Sequence, residues 1–165
     1  MNAASFSSLS SDHQRLQALV GAWQGVEEVA ATQWADEGTA TSDVVAEAEF
    51  GGQFVVQRYR QRRDGTVSFG AHSVFGFDQQ NSLVTMHQFD SMGFVPAAPA
   101  TGAWNGDELV LERSSPRGFA RVTYIFDGPD TYRMRLHFKP AGSDAWQDMV
   151  SGVYRRVSPS SINSL

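Results

Sequence analysis

Phe75-Gly-Phe-Asp78, a polar turn, then Leu83-Val-Thr-Met-His-Gln-Phe-Asp-Ser-Met-Gly93 is the stretch whose reading decides the fold. Both halves alternate apolar and polar residues at the two-residue period of a strand, and both carry an aromatic residue followed by Asp. A short polar connection between two such runs makes an antiparallel hairpin. Asp78 has the chemistry to initiate the turn, because a short carboxylate accepts hydrogen bonds from the backbone just beyond it.

The same alternation repeats outward in both directions. Strands are expected at 22–31, 39–50, 54–62, 66–77, 83–90, 100–104, 108–113, 120–126, 131–139 and 147–156. The connections are rich in turn formers: Gly51-Gly52, Asp64-Gly65, Asn105-Gly-Asp107, Asp127-Gly-Pro-Asp130 and Pro140-Ala-Gly-Ser-Asp144. Ser10, an early Asp12, Leu16, Leu19 and Val20 at helical spacing, and Gly21 predict one short helix before the first strand. Ten consecutive antiparallel strands without helical crossovers predict an all-β, up-and-down barrel, which leaves no exposed sheet edge. With that many strands the interior has room for side chains or one small ligand. The domain is expected to span residues 12–157, between a flexible N-terminus (1–11) and a disordered tail (158–165).

Composition narrows the function. At 165 residues and 41% hydrophobic the chain can bury one core. It has no Cys, which removes disulfides, thiol catalysis and thiolate metal sites. The net charge of -5 argues against a nucleic-acid partner. The N-terminus lacks the basic and apolar regions of a signal peptide, and no apolar run spans a bilayer, so a cytoplasmic protein with no membrane partner is expected.

The order of motifs carries a resemblance. Leu16-x-x-Leu-Val-Gly21-x-Trp23-x-Gly25 is followed by Gly51-Gly-x-Phe54, Gly76-Phe-Asp78, Phe89-Asp-Ser-Met-Gly93, Thr101-Gly-x-Trp104 and Gly152-Val-Tyr-Arg155. This series is similar to the bacterial family called domain of unknown function 1579, and it covers residues 16–156. The resemblance implies a calycin-like (lipocalin-like) barrel and carries over no catalytic residue. The related nitrobindin-like haem proteins share the opening motif and ligate iron through a His on the last strand. Residues 147–156 contain no His, so no cofactor is expected.

Trp23 is expected to plug one end of the barrel, with Arg155 or Arg156 stacked on it. Asp90, at a strand end before Ser91-Met92-Gly93, is either the first residue of an Asx-turn or a base at the barrel mouth. If residues summing to 159 pair, His72 faces His87; if 160, His87 faces Ser73. Neither arrangement supplies a third ligand, so no metal is expected. Arg58 and Arg60 share a face with Glu47 and Asp43 as a cross-strand charge ladder, leaving Val44, Ala46, Ala48, Phe50, Val55, Gln57 and Tyr59 on the inner face.

The leading functional expectation is binding of a small, mainly apolar molecule inside the barrel. Tyr59, His72, His87 and Asp90 would supply hydrogen bonds, and Met92 and Trp104 apolar contact. The alternative is an enzyme for isomerisation or cyclisation of a small hydrophobic substrate, with Asp90 or His87 as the acid–base group. A third reading fills the barrel with Phe69, Phe75, Phe77, Phe126 and Phe138 and makes the protein a homodimeric interaction module.

Overall fold

The computed structural model describes residues 8–162. Ser10 caps helix α1 (Ser11–Leu16): its hydroxyl accepts from the His13 backbone N–H, and its own N–H donates to the His13 ring. A 3₁₀ turn (Gln17–Leu19) follows. Ten strands then run β1 (Gly21–Val29), β2 (Gly38–Glu49), β3 (Phe54–Arg63), β4 (Thr66–Asp78), β5 (Leu83–Asp90), β6 (Ala100–Asn105), β7 (Glu108–Ser115), β8 (Gly118–Phe126), β9 (Thr131–Pro140) and β10 (Gln147–Val157). Each pairs antiparallel with its sequence neighbours, and β1 pairs with β10 to close the barrel.

The expected boundaries hold to within about two residues at each strand end. Pro159–Ser161 forms a further 3₁₀ turn, with Ser161 accepting a hydrogen bond from Gln24; the expected flexible N-terminus and disordered tail otherwise lie largely outside the described residues. No helix among the described residues is long and apolar enough to cross a membrane.

The two ends of the barrel differ. The chain enters β1 at the end covered by α1, so the connections around 50–53, 79–82, 105–107 and 127–130 gather there. Gln17 donates to the Gly52 carbonyl, Arg15 to that of Gly106, and the His13 and Phe77 rings meet edge-on at 5.6 Å. Below α1, Trp23 is fully buried: its indole N–H donates to the Leu19 carbonyl at 2.9 Å, its face carries the Arg156 guanidinium at 4.1 Å, and its edge meets Tyr132. It is the expected plug, and Arg156 is the stacked arginine. Leu16, Leu19, Val44, Val55, Phe75, Val84 and Leu109 pack around it with at most 1% exposure. Burying such side chains stabilises by roughly 1.5–3 kcal/mol each.

The opposite end, the barrel mouth, is ringed by residues 30–37, 64–65, 91–99, 116–117 and 141–146. Here Trp34 meets Phe138 edge-on at 5.1 Å, and Phe94 lies under the Arg117 guanidinium at 3.6 Å.

Three registers bear on the expectations. In β2–β3, Glu47 lies opposite Val56 and Asp43 opposite Arg60, as expected. Glu47 pairs ionically with Arg58 at 3.0 Å, while Asp43 pairs with Arg62, one diagonal step along. Phe50 is not an inner-face residue: it sits in the hairpin connection at φ 51°, is 61% exposed and packs edge-on against Phe54. In β4–β5 paired residues sum to 161, because four residues, Gln79 to Ser82, make the turn. Asp78 accepts from the Gln80 and Asn81 N–H groups, and Ser82 closes the turn at φ 55°. His72 therefore faces Phe89, and His87 faces Val74.

Candidate functional site

Starting from Trp23, alternation along β1 puts Gly25, Glu27 and Val29 on the same inner face. Glu27 is thus an acidic side chain inside the barrel, with no exposure at all. An ionised carboxylate can be buried only if partners replace its hydration, and four side chains do so. Ser42 Oγ donates to Oε1 at 2.7 Å, Gln61 Nε2 to Oε2 at 2.7 Å, Tyr59 Oη reaches both oxygens at 2.9 Å, and Tyr154 Oη donates to Oε1. Gln61 is oriented in turn by Ser68, whose hydroxyl donates to Oε1 of the amide at 3.0 Å. These four donors to Glu27 are all neutral groups.

Two glycines create the room for this cluster. A Cβ at Gly25 would sit 2.6 Å from the Tyr154 ring, and one at Gly152 would lie 2.9 Å from both that ring and Glu27 Cγ. The ring that fits between them stacks on Tyr132, with centroids 4.6 Å apart and planes 6° from parallel. Burial pushes the Tyr59, Tyr132 and Tyr154 phenols far above their ordinary range, and the Glu27 charge adds to the shift in all three. They stay neutral donors under any physiological condition.

Toward the mouth, the interior has two unlike walls. On β3–β5 the register aligns Gln57, Ser73 and Gln88 in one row and Tyr59, Ala71 and Asp90 in the next. Ser73 Oγ donates to Gln88 Oε1 at 3.3 Å, while Gln57, 6% exposed, has no side-chain partner among the described residues. Across the barrel, Val122, Met134, Leu136 and Phe138 make an apolar wall on β8–β9, joined by Ala120. Phe69, Ala120, Met134, Leu136 and Phe138 face inward yet are only half-buried. Met134 and Leu136 pack against the core, Phe138 meets Trp34 and Phe69 meets Tyr59, yet this half is less completely buried than the floor around Trp23.

The candidate residues from the sequence separate accordingly. Tyr59 lies inside, on Glu27. Asp90 also falls on the inner face, at the rim, and its Oδ1 accepts from the Met92 N–H at 3.0 Å, which is the Asx-turn. Trp104 is inside too, but at the closed end, against Phe126 and under Arg15. His72 and His87, expected as pocket residues, are not inside: both alternate with buried residues of β4 and β5 and stand exposed on the outer face. That removes His87 as an internal acid–base group. Met92, 51% exposed, belongs to the rim loop and not to the interior.

Glu27 escaped the sequence reading, as did Ser42, Gln61 and Tyr154. The available signal was the even spacing from Trp23. The Glu27-Glu28 doublet obscures it, since one acid falls inside in either register.

A separate cleft of about 370 Å³ lies outside the barrel beside the β10 irregularity, lined by Glu28, Arg135, His137, Asp148 and Ser151 among others. Its His137–Asp148 pair (3.1 Å) rests on a carboxylate that is 85% exposed, where water screens the charge. The Glu27 cluster, screened from water, offers the stronger chemistry.

The sequence matches the family model described as protein of unknown function (DUF1579) over residues 8–156. No curated protein matches it. Among solved structures, the crystal structure of Rv2717c from M. tuberculosis superposes with a TM-score of 0.68 at 19% identity, covering 91% of this chain and 99% of that one. The S-type phycobiliprotein lyase CPES from Guillardia theta superposes with a TM-score of 0.64 at 13% identity, covering 90% and 94%. At such identities the likeness is one of fold, and a fold carries many functions.

Proposed function

The chain belongs to the DUF1579 family of proteins of unknown function, and we propose that it binds a small, mainly apolar molecule in the half of the barrel next to the mouth. The observation that carries this reading is the partial exposure of Phe69, Ala120, Met134, Leu136 and Phe138 although register turns them inward. A barrel filled by its own side chains would bury such residues, as it buries Phe75 and Leu111. Apolar surface held toward an internal space gains free energy when a ligand displaces water from it, at roughly 25 cal/mol per Å².

The polar wall supplies orientation. Among the described residues the Gln57 amide has no side-chain partner, and the Ser73–Gln88 pair can accept or donate further hydrogen bonds. Glu27 is a different kind of group. Its oxygens are saturated by four side chains, so its role is to fix Tyr59, Gln61 and Tyr154 as a rigid polar base to the pocket.

The test uses a neutral fluorescent dye such as N-phenyl-1-naphthylamine, titrated into wild type and into Ala120→Trp, which fills the interior from β8. Binding near one dye per chain, lost in Ala120→Trp with the circular dichroism unchanged and retained in the outer-face variant His87→Ala, supports the reading. No binding to wild type, or equal binding to Ala120→Trp, refutes it.

A further inference from the structure

Resting on that interior pocket, we infer that its ligand is an acid: a small apolar body bearing a carboxylate, which the guanidinium of Arg113 receives at the rim. Arg113 is two residues beyond the fully buried, inward-facing Leu111, and it lies opposite Ala120 in the β7–β8 ladder. Alternation therefore turns it to the inner face, where it is half-buried. Among the described residues it has no hydrogen bond, ion pair or ring contact.

Other arginines do not share this situation. Arg58, Arg62, Arg121, Arg133 and Arg156 are ion-paired; Arg15 and Arg117 lie on aromatic rings; Arg63 donates to backbone carbonyls. Arg135 and Arg155 stand exposed on the outer wall, where water solvates them. A guanidinium held toward an apolar wall and left without a counter-charge is costly, and a carboxylate matches its planar fork with two parallel hydrogen bonds.

The wall beside Arg113 offers the way in. β6 begins at Ala100 and pairs with β5 only through Val84, Thr85 and Met86. Among the described residues no strand pairs with β5 on this side beyond Met86, and the chain runs through residues 91–99 before β6 begins at Ala100. Asp90 is on the β5 side of this gap and Arg113 on the β7 side. Met92, Phe94 and Val95, at 51%, 53% and 82% exposure, give that segment an apolar outer surface. An acid entering here presents its apolar body to Met134, Leu136 and Phe138 and leaves its head group at Arg113.

The experiment displaces the neutral dye with decanoate and, in parallel, decan-1-ol, which share an apolar chain and differ in charge at neutral pH. Decanoate should bind wild type about 10- to 100-fold more tightly than the alcohol, the range for a hydrogen-bonded charge pair. Arg113→Gln should abolish that preference while leaving dye and alcohol binding unchanged. Asp90→Asn, which removes the other inner-face charge at the gap, should increase decanoate affinity and leave alcohol affinity alone. Equal binding of acid and alcohol to wild type, or an acid preference that survives in Arg113→Gln, overturns the inference and leaves the pocket standing. If neither dye, acid nor alcohol binds, the pocket itself falls, and this inference with it.

Discussion

Raising the pH should unfold this protein cooperatively, and its tyrosines should report the event. All four tyrosines of the chain, Tyr59, Tyr124, Tyr132 and Tyr154, have phenols pushed upward, by burial first and, in all but Tyr124, also by neighbouring charge. In the unfolded chain each phenol ionises near its ordinary value of about 10. A folded-state value raised above the unfolded one contributes stability that is intact below about pH 10 and is lost as pH climbs from there toward the folded value. Above about pH 10 the unfolded state holds fewer protons than the folded state by up to four, so stability falls by roughly 1.4 kcal/mol per phenol, or about 5.5 kcal/mol in all, for each pH unit. At about pH 11 the accumulated loss is close to 6 kcal/mol, comparable with the whole stability of an ordinary domain. Lys139 is the single lysine, and arginines keep their charge in this range, so few other side chains contribute. Phenolate absorbance and far-ultraviolet circular dichroism, followed together, should stay flat past about pH 10 and then change in one coincident step. Gradual phenolate formation near the ordinary pKa, in protein whose circular dichroism is still native, would refute the picture of sealed phenols around Glu27.

Two further predictions concern the same cluster. Glu27→Gln places an amide donor where Ser42, Tyr59, Gln61 and Tyr154 all need an acceptor, and the Ser68 contact keeps the Gln61 amide from turning to compensate. It should cost about 2–4 kcal/mol in urea unfolding, and a change below about 0.5 kcal/mol would mean that the carboxylate is not the acceptor holding these donors. Gly152→Ala should cost about 1–3 kcal/mol by driving a methyl group into the Tyr154 ring, and adding Tyr154→Leu should recover part of that loss in a double-mutant cycle; simple additivity would contradict the contact.

The barrel was legible because each connection advertises itself. Gly51-Gly52, Asp64-Gly65 and Asn105-Gly106 mark hairpins in plain turn chemistry, and the β2–β3 register follows from them. The β4–β5 register did not follow, because its turn closes through Ser82 at a positive φ, a conformation that the residue type does not announce. His72 is three residues from Phe75 and must take the opposite face; a histidine on a strand invites a functional reading, and only parity against a known core residue corrects it. Arg113 was hidden for a different reason. It stands where the apolar alternation of β7 ends, so it reads as the last residue of a strand, whereas backbone pairing continues to Ser115 opposite Gly118 and keeps its side chain directed inward. Glu27, Ser42, Gln61 and Tyr154 come from four strands, and their meeting is a property of closure that a local pattern does not express.

Glu27 and Tyr154 are 127 positions apart, on the first and last strands. A ribosome has already polymerised β1 through β9 before the residue that completes the acceptor's shell exists. Until then Glu27 belongs to an open sheet in which β1 and β9 each have one unpaired edge, and water must solvate its charge. The carboxylate that stabilises the finished barrel therefore opposes burial in the unfinished one, which keeps a growing chain from sealing itself prematurely around an incomplete interior. Folding of such a long-range topology is expected to be completed after synthesis, with the joining of β1 to β10 as its late event.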